Sequence, residues 1–250
     1  MANWNDPQPT RRDPRAGFGA SMGQGASVPR TGYDAGLRKY MLSIYNYMAS
    51  AVLLSGVVAL VMASTGMTVA MMGSPLVWLV MLSPIVVVIA MSFGANRFST
   101  GTLQMLFWGF AVLMGMSLST IFLVYTGGSI AATFFATAGA FAGLSLFGYT
   151  TKKDLSGFGS FLIMGVIGLL IASVINIFVQ STALMWAVSF LGVLIFAGLT
   201  AYDTQRLKMQ YYQLAGTEFM GKAVVLGALS LYLDFINMFQ FLLMFMGQRD

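Results

Sequence analysis

The stretch Leu229–Phe239 reads LSLYLDFINMF. It sits in an apolar run over 222–246, long enough to cross a bilayer core as a helix, yet it places a carboxylate, Asp234, about halfway along. An unpaired charge at that depth costs on the order of 3 kcal/mol on insertion scales. Asp234 must therefore be protonated, share a proton, hold a cation or face water. What surrounds the stretch decides among these.

The chain around it is 58% hydrophobic and 8% charged, with a mean hydropathy of +0.79. A soluble domain carries roughly 25% charged residues, so this chain cannot coat its own surface in water. Seven apolar spans run near 40–64, 73–94, 102–125, 129–150, 158–180, 184–203 and 222–246. They are too long and continuous for the alternating strands of a barrel, so the fold class is an all-α membrane protein with seven transmembrane helices. Gly139 and Gly143 in GAFAG have the four-residue spacing that lets helix backbones approach closely. Residues 1–36, including RRDPRAGFGASMGQGASVPRTGYDAG, are expected to be a disordered basic tail with no secretory signal, and 37–250 the seven-helix membrane domain.

Charge sets the expected orientation. Arg11, Arg12, Arg15, Arg30, Arg38 and Lys39 precede the first span, and Arg97, Lys152, Lys153, Arg206, Lys208 and Lys222 fall in the even-numbered loops. The odd-numbered loops carry no charge. The positive-inside rule then places the N-terminus in the cytoplasm, and seven crossings place the C-terminus outside; a re-entrant last segment would return it to the cytoplasm. The net charge of +5 marks topology, since no basic stripe interleaved with aromatics suggests nucleic acid.

Cysteine and histidine are both absent. Thiolate metal sites, disulfides and histidine-based nucleophilic catalysis are excluded, and any titration near neutral pH falls to carboxylates. The twenty methionines read as gap-fillers. GYTTKKDLSGFG lacks phosphate-loop spacing and reads as a short cytoplasmic loop. No enzymatic activity and no bound cofactor are expected.

Six of the eight acids lie in the tail, the loops or at the end of the chain; Asp203 and Asp234 remain. Asp203 stands at the inner end of the sixth span in LTAYDTQ, and no lysine or arginine lies in a span interior. Gly216 suits a helix stop and Thr217 a following N-cap. Folding an antiparallel pair about that point brings the two aspartates to within about one helical turn, roughly 5 Å. Carboxylates that close hold one proton between them, and losing it leaves two charges that repel each other or attract a hard cation such as calcium. Ser230, Asp234 and Asn237 share one face of the seventh span, with Thr200 and Asp203 matching them on the sixth. Two plainer readings stand beside this one. Asp203 and Arg206 form an intrahelical ion pair at the cytoplasmic mouth, or Asp234 is a neutral acid bonding Ser230 or a neighbouring backbone as inter-helix glue. Asn176 reads as packing glue between helices.

LTAYDTQRLK (Leu199–Lys208) and GALSLYLDFINMFQFLL (Gly227–Leu243) resemble the transmembrane Bax-inhibitor-motif family in its bacterial branch. The long stretches Asn96–Ile130 and Phe147–Phe178 are similar to it too, and the likeness covers about residues 37–247. The resemblance implies seven helices with the seventh central, surrounded by the other six. It implies a bacterial inner-membrane protein acting as a pH-sensitive cation leak, chiefly for calcium, with Asp203 and Asp234 as the proton-sensing pair; their carboxylate chemistry would also suit them as transient calcium ligands. The chain departs from eukaryotic relatives in ending MGQRD rather than in a lysine-rich tail, and its connection between spans six and seven reads as fairly long.

Two alternatives follow from other classes. The protein could modulate a membrane protease or stress-response partner through its tail, as some family members are thought to do. Intramembrane aspartyl proteases also pair a Tyr-Asp with an aspartate on the next helix. Tyr202-Asp203 matches the first half, but Leu233 stands where a glycine would precede the second acid, and no Pro-Ala-Leu follows. The expected partners are thus the lipid bilayer, calcium, protons and one membrane protein.

Overall fold

The computed structural model describes residues 30–248, with side chains from Ala35 onward. The expected tail over 1–36 lies largely outside the described residues. Among those described there is no strand; the helices are α1 (Arg30–Ser64), α2 (Met67–Met72), α3 (Leu76–Gly94), α4 (Thr100–Leu118) with a 3-10 turn (Ser119–Leu123), α5 (Gly127–Thr150), α6 (Ser156–Val179), α7 (Thr182–Leu214) and α8 (Met220–Met246). Seven stretches are long and apolar enough to cross a membrane: Ala35–Ser64, Leu76–Gly94, Thr100–Leu123, Gly127–Thr150, Ser156–Val179, Thr182–Leu214 and Met220–Met246. Large apolar side chains such as Phe93 and Phe178 stand fully outward, which only a hydrocarbon surround tolerates on this scale.

Local chemistry sets the helix ends. Ser99, Thr126 and Ser181 each accept a hydrogen bond from a backbone N–H of the first turn that follows, capping α4, α5 and α7. Gly216 takes φ 81° between α7 and α8, a conformation that favours glycine.

Three boundaries differ from the sequence reading. Hydropathy ends the sixth span at Asp203, but α7 runs on to Leu214, because TQRLKMQ is polar yet made largely of good helix formers. At 33 residues α7 is about 50 Å long, well beyond the ~30 Å hydrocarbon core. The connection to α8 is accordingly short, 215–219. The interval between the first two spans holds the short helix α2 rather than only loop.

At the centre stands α8. Half of its most apolar stretch is buried (50%), against 11–33% for the other six spans. It packs on α4, α5 and α7, and α1 reaches it through Ser55 at Tyr232 and Ile44 at Gly227. On the periphery, α3 packs against α4 and α6 against α7. At its far end, Thr126 N–H donates to the Gln248 carbonyl (3.1 Å) and Gln248 N–H donates to Ser129 Oγ (2.9 Å). The end of α8 is therefore fastened to the start of α5, at the opposite end of the bundle from Gly216. At 27 residues α8 is one unbroken helix, long and apolar enough to cross a membrane.

Helices in lipid gain little from hydrophobic exclusion and rely on close packing and hydrogen bonds. The expectation that Gly139 and Gly143 mark a tight crossing is not met: a Cβ at either would meet open space. Both lie on the outward face of α5, where an apolar chain carries four-residue spacings by chance. The close approaches are elsewhere. A Cβ on Gly148 would collide with the Ala201 carbonyl where α5 crosses α7, and one on Gly115 would sit 2.6 Å from the Ser55 carbonyl oxygen where α4 crosses α1. Asn176 is not inter-helix glue either. Its Oδ1 accepts from Ser181 N–H (3.0 Å) and its carbonyl from Gln180 N–H, so it shapes the turn between α6 and α7.

Gly148→Leu should destabilise the bundle by about 3 kcal/mol or more through overpacking against backbone, whereas Gly139→Leu should stay within about 0.5 kcal/mol of the parent. Thermal unfolding in detergent separates the two. Because the chain lacks cysteine, single cysteines placed at Gly128 and Thr151 report cleanly. They should label from opposite sides of the membrane, since they stand at opposite ends of α5.

Candidate functional site: two carboxylates between α7 and α8

The Gly216 turn fixes the register of the α7–α8 pair. Residues equally far from it meet: Gly192 lies under the Phe241 ring, and Asp203 accepts a hydrogen bond from Ser230 Oγ at 2.5 Å. Asp234 is one helical turn from Ser230 on the same face of α8. The two aspartates are thus brought to one neighbourhood, with Asp234 one turn deeper than the serine that bonds Asp203.

Their surroundings differ. The Asp203 carboxylate is held at Oδ2 by Ser230 and by the Arg206 guanidinium, 3.3 Å away. Arg206 Nη2 also donates to Ser230 Oγ at 3.0 Å, closing a three-residue ring. Arg206 lies on α7 itself, one turn beyond Asp203, with 47% of its side chain exposed, so the ring opens toward the charged end of the bundle. Sequence reading offered Arg206 as an ion-pair partner for Asp203 and left Asp234 without a cation at its own depth; the structure shows that ion pair, on a continuous α7. Asp234 is different: it is 5% exposed, and its Oδ2 is enclosed and accepts no hydrogen bond. The other acids with described side chains lie outside this environment. Glu218 is exposed. Asp154, also exposed, is held below the usual carboxylate range by hydrogen bonds from the side chain and backbone of Ser156.

The rest of the expected polar seam does not converge on the acids. Thr200 Oγ1 donates to the Phe196 carbonyl and Asn237 Nδ2 to the Leu233 carbonyl, each within its own helix. Both obey the face periodicity, but side chains in apolar surroundings satisfy themselves on the nearest i−4 carbonyl. Of the six residues, three join in one network, Asp203, Arg206 and Ser230, while Asp234 stands one helical turn from Ser230 with its Oδ2 unbonded.

Residues that sequence reasoning passed over hold this arrangement in place. Tyr232, fully buried two residues before Asp234, shares a 2.7 Å hydrogen bond with Ser55 Oγ, and Ser55 lies 2.7 Å from the Ala111 carbonyl, so one node ties α8 to α1 and α4. Gln205 accepts from Leu155 N–H and donates to the Lys153 carbonyl, while Lys208 donates to the Tyr149 carbonyl. These clamp the end of α7 to the α5–α6 connection. Tyr232 was findable as a polar-tipped residue inside the quoted stretch; Ser55 carries no signal beyond being a serine in an apolar run. Among the described residues no group of three acids gathers, so the pair is no cage of the six to eight oxygens that a resident calcium ion takes.

Comparison with known proteins agrees with this architecture. Residues 37–250 match the family described as inhibitor of apoptosis-promoting Bax1. The chain is 51% identical over 225 residues to an uncharacterized protein of Caulobacter vibrioides, covering 86% of this chain and 90% of that one. It is 45% identical over 219 residues to the inner membrane protein YbhL of Escherichia coli K12, covering 86% and 94%. A Rickettsia prowazekii protein, RP147, is also 45% identical over 219 residues, covering 87% and 92%. A multi-pass inner-membrane architecture, a family match across the whole helical domain and relatives aligned over nearly their full length lead to one conclusion: the chain belongs to the Bax inhibitor-like membrane protein family.

Proposed function

We propose that the protein is a pH-sensitive cation leak, with calcium as the permeating ion, gated by a proton held between Asp203 and Asp234. The observation that carries this reading is the enclosed, unbonded Oδ2 of Asp234, one helical turn from the serine that, with Arg206, fastens Asp203. A carboxylate oxygen with no donor in apolar surroundings is strongly unfavourable as an anion, so the closed state keeps a proton there. When the proton leaves, two neighbouring negative charges in a low dielectric repel each other and attract a hard cation. Separation of α7 from α8 at this level would then open the path. Calcium is cargo in this scheme, held briefly by the two carboxylates, and no covalent chemistry is involved.

The charge distribution supports a cytoplasmic mouth at the Arg206 end. Arg38, Lys39, Arg97, Lys152, Lys153, Arg206, Lys208 and Lys222 all fall at the end of the bundle that holds the start of α1 and the Gly216 turn. The positive-inside rule makes that end cytoplasmic, with the N-terminus on the same side.

In calcium-loaded proteoliposomes, wild-type efflux should rise as pH is raised, because deprotonation opens the path. Asp234→Asn, which cannot release a carboxyl proton, should abolish that pH dependence; an unchanged pH profile in this variant contradicts the mechanism. Arg206→Gln removes the cation that favours the ionised pair. Its efflux curve should move to higher pH, by about one unit for an interaction of ~1.4 kcal/mol.

A further inference from the structure

A second feature lies away from the carboxylates, toward the opposite end of the bundle. A cavity of about 290 Å³ opens between α1 and α5, with α8 as its floor. Along α1 it extends from Val52 to Ala59, roughly 10 Å. Small residues make the gap: Gly56 on α1 and Ala131 on α5 are both exposed at its mouth, and a Cβ on Gly56 would meet open space. Phe135, 73% exposed, flanks the opening, while Ile236 and Phe239 of α8 form a buried floor.

Its lining is almost wholly apolar, although Ser55 belongs to the wall. The reason is geometric. The Ser55 hydroxyl is turned into the bundle, engaged with Tyr232, the Ala111 carbonyl and the Ala51 carbonyl, so it is already committed there. A water molecule needs two to four polar partners and would find too few, and apolar cavities of even ~150 Å³ stay dry and take up apolar ligands. The mouth lies within two membrane-spanning helices, so the medium it faces is hydrocarbon. The segment before α1, rich in Arg, Gly and Pro, has the wrong chemistry for it.

We infer that this cavity is a lipid site: a slot between α1 and α5 that holds one acyl chain of a bilayer phospholipid against Ile236 and Phe239. The inference does not rest on the leak activity. An acyl chain entering sideways completes the packing that Gly56 and Ala131 leave open, at a level beyond the Ser55–Tyr232 bond.

The test uses the full chain in liposomes containing a phospholipid with a photoreactive diazirine in its acyl chain. After irradiation, adducts are mapped by mass spectrometry. Adducts should concentrate on the slot-lining parts of α1 and α5, severalfold above the outward face of α6 at Phe161 and Phe178, which sees only the general bilayer. Gly56→Leu and Ala131→Phe, filling the slot from opposite walls, should each lower the slot adducts severalfold and leave those on α6 unchanged. Gly139→Leu, on α5 but outside the slot, should change neither. Wild-type labelling of the slot no denser than on α6 overturns the inference, and this comparison needs no variant to fold. Slot labelling that survives both filling substitutions, or cross-links at this face between two copies of the chain, overturns it as well.

Discussion

A carboxylate enclosed by helices in a bilayer is the constraint on which this structure turns. Hydrocarbon offers Asp234 no water and the protein gives its Oδ2 no donor, so its charge must be settled by a proton or by a neighbour. That requirement explains why α8 is the most buried span and why α7, which carries the other acid, is so firmly fastened to it and to α5. A loosely held helix pair would let water reach the acid and remove the need for a proton there.

The fastening is distributed along the molecule. At the charged end, Gln205 and Lys208 clamp α7 to the α5–α6 connection, and Arg206 closes the ring with Asp203 and Ser230. Glycines then let the backbones close up, Gly148 against Ala201 and Gly192 under Phe241. Near the middle, Ser55 ties Tyr232 to α1 and α4. At the far end, Gln248 pins α8 to the start of α5. Each is a hydrogen bond or a close contact, the two kinds of interaction that still count when the solvent is as apolar as the side chains.

Much of the fold was legible in the chain itself. Span number and type follow from hydropathy and length, and folding about Gly216–Thr217 puts Asp203 within about one turn of Asp234; the residue that Asp203 meets is Ser230, one turn nearer the Gly216 turn. Hydropathy fails where helices continue past their apolar part. It stops α7 at Asp203, although the helix extends to Leu214; the plainer reading of Arg206 as an intrahelical partner one turn beyond Asp203 is the one the structure shows. Periodicity places Thr200 and Asn237 on the right faces but cannot tell a shared network from a bond to the helix's own carbonyl. The GAFAG spacing was a false guide because spacing carries no information about which face of α5 has a neighbour; Gly148, in no such motif, makes the contact.

The central claim is that the two aspartates hold one proton in common. Infrared difference spectroscopy on the reconstituted protein, stepped through pH, reads this directly from the stretching band of a protonated carboxyl. The account predicts a single such band near neutral pH, lost as pH rises and absent in Asp234→Asn. Two carboxyls that are both ionised at neutral pH, or a band that survives the loss of the Asp234 carboxyl, would contradict it.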